Sequence, residues 1–224
     1  MSGPCRGGTS STRSISTTRP FNFEPFAGSP DDNNARFFFA GAWDVLTPYI
    51  SSGKLVCPSG KLPASVDDWQ SIGIQAWSNT TAQAEMENRL NSFYSATTRV
   101  DVVLCPNDAI ALGVGQALDS AGYGGSDWPV LTGPDADQAN VANIVNGKQS
   151  MTVFKDTRAL GERCVTMVDQ IAQGRDVEVN DTASYDNGAL VVPSYLLDPV
   201  TVDAGNVRQI LVDSEYYTAE EVGL

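Results

Sequence analysis

From residue 21 onward the sequence repeats one unit: a short apolar run, a polar junction, then a stretch with helical spacing. "FNFEPFAGSPDDNNARFFFAGAWDVLTPYI" gives the unit first. "KLVCPSG" reads as a short strand ending in a turn. "QAWSNTTAQAEMENRLNSFYS" reads as a helix capped by Ser78 or Asn79, with Ala82, Met86, Leu90 and Phe93 on one face. "VDVVLCPNDAIALGVGQALDSAGYGG" is a buried strand followed by a helix that Gly122 and Gly124 stop. "PVLTGPDADQANVANIVNG" and "MTVFKDTRALGERCVTMVDQIAQG" continue the pattern, the latter with an apolar stripe of Leu160, Cys164, Val168 and Ile171. Short apolar strands alternating with helices fit a parallel sheet whose faces are both covered. The expected fold class is therefore α/β, a doubly wound parallel sheet with helices on both faces. After "GRDVEVND" the pattern changes to two extended pieces broken by Pro193 and Pro199, and "AGNVRQILVD" is a short final helix or strand. No internal repeat of fixed period is present; what recurs is the strand–helix unit.

Composition narrows the chemistry. The 224 residues are 42% hydrophobic and 18% charged, which suits one large domain with a proper core. The net charge of −13 argues against nucleic acid as a partner, because such binding needs a basic face to displace counterions. There is no histidine, so the commonest general base, the commonest metal ligand and every Ser–His or Cys–His pair are missing. Cys5, Cys57, Cys105 and Cys164 form no C-x-x-C pair and no zinc spacing. Cys105 and Cys164 lie in apolar runs and read as small buried hydrophobes. No disulfide framework, metal or cofactor is expected. No apolar run approaches the roughly 18 residues of a membrane span. The first 20 residues, "MSGPCRGGTSSTRSISTTRP", have no apolar h-region and are expected to be a disordered or atypical stub ahead of a lobe spanning 21–224.

In open parallel sheets, ligands sit beyond the carboxyl ends of the strands. The strand-to-helix junctions carry Asp31, Asp32, Asn33 and Asn34; Trp77, Ser78 and Asn79; Asn107 and Asp108; Asp135 and Asp137; and Lys155 with Asp156. Helix capping accounts for many such Asp, Asn and Ser residues. Lys155 does not fit that explanation, since a cation at a helix N-terminus opposes the macrodipole; it is expected to face something anionic or polar. Flat, two-pronged Asp and Asn side chains match neighbouring hydroxyls, and a Trp ring matches the C–H face of a pyranose. The chemistry is that of a sugar site. "DDNNARFFFAGA" lacks the Gly and terminal Glu of a calcium loop, and "GVGQAL" lacks the third glycine of a dinucleotide loop. A glycosidase pair such as Asp32 with Asp135 stays open by residue type alone.

"FAGSPDDNNA", "CPNDAIALG", "TGPDADQANVANIVNGKQSMTVFKDTR" and "VVPSYLLDPVTV" together resemble the sugar-binding proteins of bacterial ABC importers, closest to the xylose-binding and multiple-monosaccharide-binding group. The resemblance covers about residues 21–224. It implies a type I periplasmic-binding-protein fold, mostly its C-terminal lobe, with a closing crossover segment at about 186–224. It implies an aldose such as xylose or glucose held between two lobes without catalysis. By resemblance, Asp32, Asn34, Asn107, Asp135 and Lys155 are ligand positions and Trp77 is the stacking aromatic. The implied partners are a monosaccharide, an ABC transporter permease and a chemoreceptor or sensor. The implied location is periplasmic or cell-surface. Members of that family begin with a further lobe that contributes ligands, so a truncated fragment without stand-alone binding is the competing expectation. A sugar-responsive repressor is disfavoured, because the first 20 residues have no periodicity for a helix-turn-helix.

Overall fold

The computed structural model describes residues 19–224, so all but Arg19 and Pro20 of the expected N-terminal stub lies outside the described residues. β1 (Phe21–Pro25) pairs in parallel with β2 (Leu55–Val56) on one side and β3 (Val102–Leu104) on the other. β4 (Val130–Leu131) pairs in parallel with β3, giving the order β2-β1-β3-β4. β5 (Met151–Phe154) continues that order: Ser150 and Val153 donate their N–H groups to the carbonyls of Leu131 and Gly133. The last strand departs from the all-parallel expectation. β6 (Val200–Asp203) returns antiparallel to β5, with Phe154 opposite Val200 and Met151 opposite Asp203. The extended stretch before it forms only isolated bridges, Asp181 with Ser194 and Asp186 with Val191.

Five α-helices connect the strands: α1 (Asn33–Ser51), α2 (Asn79–Phe93), α3 (Asp108–Ser120), α4 (Gln138–Val145) and α5 (Thr157–Ala172). α1 leads from β1 to one neighbour and α2 leads back across β1 to the other. Right-handed crossovers therefore place these two helices on opposite faces. The side chains divide accordingly. Phe26 joins Met86, Leu90, Val103, Ile110 and Leu131 under α2 and α3, while its neighbour Ala27 joins Ala35, Phe39, Trp69 and Ile72 under α1. Successive residues of an extended chain point to opposite faces, so this split follows directly from β1 running between the two layers. The first glycine of "GVGQAL" has a packing role here. A Cβ on Gly113 would lie 2.0 Å from the Asn79 carbonyl oxygen, so only glycine lets α3 cross the start of α2 at this separation.

α2 buries Ala82, Met86 and Leu90 as its spacing predicts, but Phe93 is exposed. The helix stops at Phe93, and Tyr94 turns inward in its place, its hydroxyl 2.5 Å from Glu24 Oε1. The other buried member of α2 is Arg89. Glu24 of β1 has no solvent exposure, and a buried carboxylate needs partners. Arg89 Nη1 reaches it at 3.0 Å, Ser59 Oγ donates to it at 2.6 Å, and the guanidinium lies 4.1 Å from the Phe26 ring centroid.

α5 contradicts the expectation for its stripe. Leu160, Val168 and Ile171 are 52%, 65% and 65% exposed, and Cys164 is exposed rather than buried; no residue of this helix is buried. Apolar spacing makes a face that can be covered, but no other part of the described chain lies over this one. Cys105, by contrast, is buried in the α2–α3 core as its sequence context predicts, and Cys57, Cys105 and Cys164 are all free thiols.

Candidate functional site

The loops after the strands converge at the carboxyl end of the sheet. Residues 26–32 leave β1 and meet the 75–77 turn: Ser29 Oγ accepts the N–H of Ala76 at 2.8 Å, and Gln75 Nε2 donates to Asp31 Oδ2 at 3.1 Å. Ser29 also donates to Asp31 Oδ1, and that hydrogen bond holds the Asp31 carboxyl below its ordinary pKa. The turn is unusual in its backbone. Ala76 and Trp77 have φ of 55° and 53°, the left-handed region that side chains other than glycine rarely occupy. The clip from Ser29 helps to hold it. Gly28 completes the fit, because a Cβ there would lie 2.1 Å from the Trp77 ring.

Asp32 has two roles at once. Its Oδ1 accepts the Asn34 N–H at 2.8 Å and caps α1, while its Oδ2 accepts the Trp77 indole N–H at 3.1 Å. The Trp77 ring is half-buried and meets Phe38 edge-on, with centroids 6.4 Å apart. Lys155 Nζ lies 5.2 Å from the centroid of the other side of this contact, Phe38, and 2.7 Å from Asp135 Oδ1. Asp32, Trp77, Phe38, Lys155 and Asp135 thus form one continuous run drawn from four loops and the first two turns of α1. The anionic neighbour expected for Lys155 is Asp135. Lys155 and Asp135 are both partly exposed, so the pair faces solvent along one edge.

Asn107 caps α3: its Oδ1 accepts the Ile110 N–H at 2.9 Å, leaving its amino group for other partners. Asn34 stands exposed on the first turn of α1. Capping therefore explains one prong of Asp32 and one of Asn107, along with Ser78 and Asp156, whose side chains accept from Thr81 and Arg158. It explains neither Trp77, Asp135 nor Lys155. The structure ties Asp32, Trp77, Lys155 and Asp135 into one run of contacts; Asn34 and Asn107 occupy the adjoining helix starts and join that run through no side-chain contact of their own.

Two participants went unassigned in the sequence. Phe38 bridges Trp77 and Lys155, and its position four residues after Asn34 on one helical face was the available signal. Asp108, the residue after Asn107, is wholly buried beneath the loop that carries Asp135. Burial pushes its carboxyl up to about 7, against hydrogen bonds from Gln149, Asp137 and Thr152 that pull the other way. Asp135 and Ala136 have φ of 112° and 58°, so the loop above it also holds left-handed geometry without glycine. Among the described residues no group of three His, Cys, Asp or Glu side chains could hold a metal ion.

The model of the family described as periplasmic binding protein domain matches residues 11–176. The multiple sugar-binding periplasmic receptor of Rhizobium radiobacter is 46% identical over 91% of this chain and 56% of its own length. The D-xylose-binding periplasmic protein of Escherichia coli is 32% identical over 90% of this chain and 56% of its own. Among solved structures, an ABC transporter solute binding protein from Clostridium phytofermentans with bound β-D-glucose is 51% identical, with a TM-score of 0.83 over 91% of this chain and 61% of that one. A carbohydrate transporter solute binding protein from Chloroflexus aurantiacus in complex with D-glucose is 32% identical, with a TM-score of 0.79 over 91% and 62%. The chain spans about half the length of the curated relatives it matches.

Proposed function

Since the chain belongs to the periplasmic binding protein domain family, we propose that it supplies one sugar-binding lobe of the solute-binding component of a monosaccharide importer. The observation that carries this reading is the continuous run Asp32–Trp77–Phe38–Lys155–Asp135 at the carboxyl end of the sheet. Asp32, Asp135, Asn34 and Asn107 offer carboxylates and amides to ring hydroxyls, and Lys155 donates to an oxygen between them. Trp77 presents its ring to the C–H face of an aldose such as glucose or xylose. Asp32 holds the indole N–H and so fixes the plane against which the sugar lies.

A single lobe covers one side of such a ligand. Tight binding needs most of the ligand surface removed from water, which requires a second lobe closing over the first. The exposed face of α5 is where part of the additional length seen in the relatives would pack. The assembled protein would hand its sugar to a membrane permease, work in the periplasm or at the cell surface, and present its closed form to a chemoreceptor or sensor.

No catalysis is proposed. A carboxylate glycosidase needs one acid that donates a proton and a second carboxylate free to act on the ring. Asp135 is instead ion-paired with Lys155, and both oxygens of Asp32 already accept hydrogen bonds. Calorimetry on residues 21–224 fused behind the first lobe of a relative tests the reading. Heat on titrating D-glucose or D-xylose, lost in Asp135→Ala and accompanied by no release of sugar from aryl glycosides, is the expected result. An absence of heat with every aldose, or unchanged affinity after Asp135→Ala, would overturn it.

A further inference from the structure

Asp108 opens α3 directly after Asn107, and its side chain has no exposure. Its carboxylate accepts from Gln149 Nε2 at 2.8 Å, from Thr152 Oγ1 at 2.9 Å and from the Asp137 N–H at 2.9 Å. Its own N–H donates to the Pro134 carbonyl at 2.8 Å, and its carbonyl accepts from Asn140 Nδ2 at 2.9 Å. The partners are themselves fixed. Asn140 also donates to Gln149 Oε1 at 2.8 Å, which turns the Gln149 amino group toward Asp108. Thr152 Oγ1 accepts the Ala136 N–H at 3.0 Å and directs its proton to the Asp108 carboxylate.

These bonds bracket Asp135. Pro134 and Asp137 are tied to Asp108 directly, Ala136 is tied to it through Thr152, and the Asp135 N–H goes to the Val153 carbonyl at 2.9 Å. A loop holding φ of 112° and 58° at Asp135 and Ala136 keeps that shape only where its surroundings over-determine it. Asp108 is the centre of those surroundings. The approach is close enough that a Cβ on Gly133 would lie 2.2 Å from Asp108 Oδ1.

We propose that Asp108 is a positioning residue of the sugar site: its buried carboxylate holds Asp137 directly and Ala136 through Thr152, keeps the left-handed turn in shape, and thereby sets where Asp135 meets Lys155 and the ligand. Its effect on affinity rests on the sugar-binding reading; its hold on the loop does not. The carboxylate faces three donors, so an asparagine in its place either turns an amino group against one of them or forces the Gln149 amide to flip. That change disturbs the loop without opening a cavity. A proton has one unused lone pair to occupy, on Oδ1, and taking it up weakens the charge-assisted bonds from the loop. The titratable groups facing Asp108 are Asp137 on the loop, Cys105 at the end of β3 and Tyr217 in the C-terminal segment.

Amide NMR of the full chain without ligand provides the first test. The Ala136 and Asp137 amides should shift together as the buried Asp108 carboxyl, raised to about 7 by its burial, takes up its proton. Asp108→Asn should abolish that titration and speed amide exchange at 135–137 by about tenfold or more, while the β1 amides stay unchanged. Unaltered exchange at 135–137 in Asp108→Asn overturns the proposal. If that variant does not fold, Thr152→Val takes its place, removing the hydroxyl that links the Ala136 N–H to the Asp108 carboxylate; unaltered exchange at Ala136 and Asp137 is then the overturning result. In the fusion carrying a first lobe, Asp108→Asn should weaken sugar binding about tenfold, and Asp135→Ala should then add little. Fully additive losses would contradict positioning. A parent fusion that binds no sugar would overturn the sugar-binding reading and the affinity part of the proposal, leaving the loop to be judged by the ligand-free spectra.

Discussion

Helices α2 and α5 have nearly the same length, 15 and 16 residues, and opposite environments. α2 lies on the sheet with Ala82, Met86, Arg89 and Leu90 buried. α5 separates its apolar and polar sides more cleanly, yet buries no residue. Amphipathic spacing records that a helix has a face to cover; it does not record which chain supplies the cover. The contrast also matches the lengths in the comparisons, since the relatives carry roughly as much chain outside the matched region as this protein has within it. α2 is stabilised from within the lobe, and the face of α5 fits a surface that a two-lobed protein would bury.

The largest effect should come from the charge inside α2. Arg89→Met leaves Glu24 buried with its main cation removed, and breaking such a pair costs about 3–5 kcal/mol. Urea unfolding of the variant should show that loss; a loss below about 1 kcal/mol would mean Glu24 is satisfied by Ser59 and Tyr94 alone. A slightly smaller effect is expected from Met86→Ala, which removes a wholly buried side chain from the α2–α3 core and should cost about 2–4 kcal/mol by the same measurement. The matching change in α5 should be the smallest. Ile171→Ala, at 65% exposure, should alter stability by no more than about 0.5 kcal/mol in the chain alone. In a fusion with a first lobe the same substitution should cost more than about 1 kcal/mol, because the face is then covered. Equal effects of Ile171→Ala in both contexts would break the comparison.

The parts legible in the sequence were those with local causes. Alternation of apolar runs with helical spacing gave the α/β class, and the Ala82–Met86–Leu90 periodicity gave the buried face of α2. Arg89 was not legible, because its burial is caused by Glu24, a strand residue 65 positions earlier, and nothing beside Arg89 marks that. Phe93 and Cys164 were misread for opposite reasons. Phe93 lies where the helix ends and Tyr94 takes over, whereas Cys164 lies on a proper stripe that no other segment covers. At the candidate site, the junction rule singled out Asp32, Trp77, Asp135 and Lys155, although only Trp77 and Lys155 are of types that helix capping does not favour there. Phe38 was hidden in "RFFF", where three aromatic residues in a row read as core. Asp108 was hidden because an acid at a helix start reads as a cap, although its carboxylate in fact points inward to Gln149 and Thr152.

The central claim is that these junction side chains form one face of a sugar site. Titrating the isolated chain with D-glucose and with D-xylose while following its amide and indole NMR signals tests that most directly. A one-sided site should bind weakly, with dissociation constants of about a millimolar or more. Saturable shifts should be confined to Asp32–Asn34, the Trp77 indole, Asn107, Asp135 and Lys155, and should disappear in Asp135→Ala. Saturable shifts that map elsewhere, or an unchanged spectrum with both sugars at concentrations tens of times higher, would contradict it.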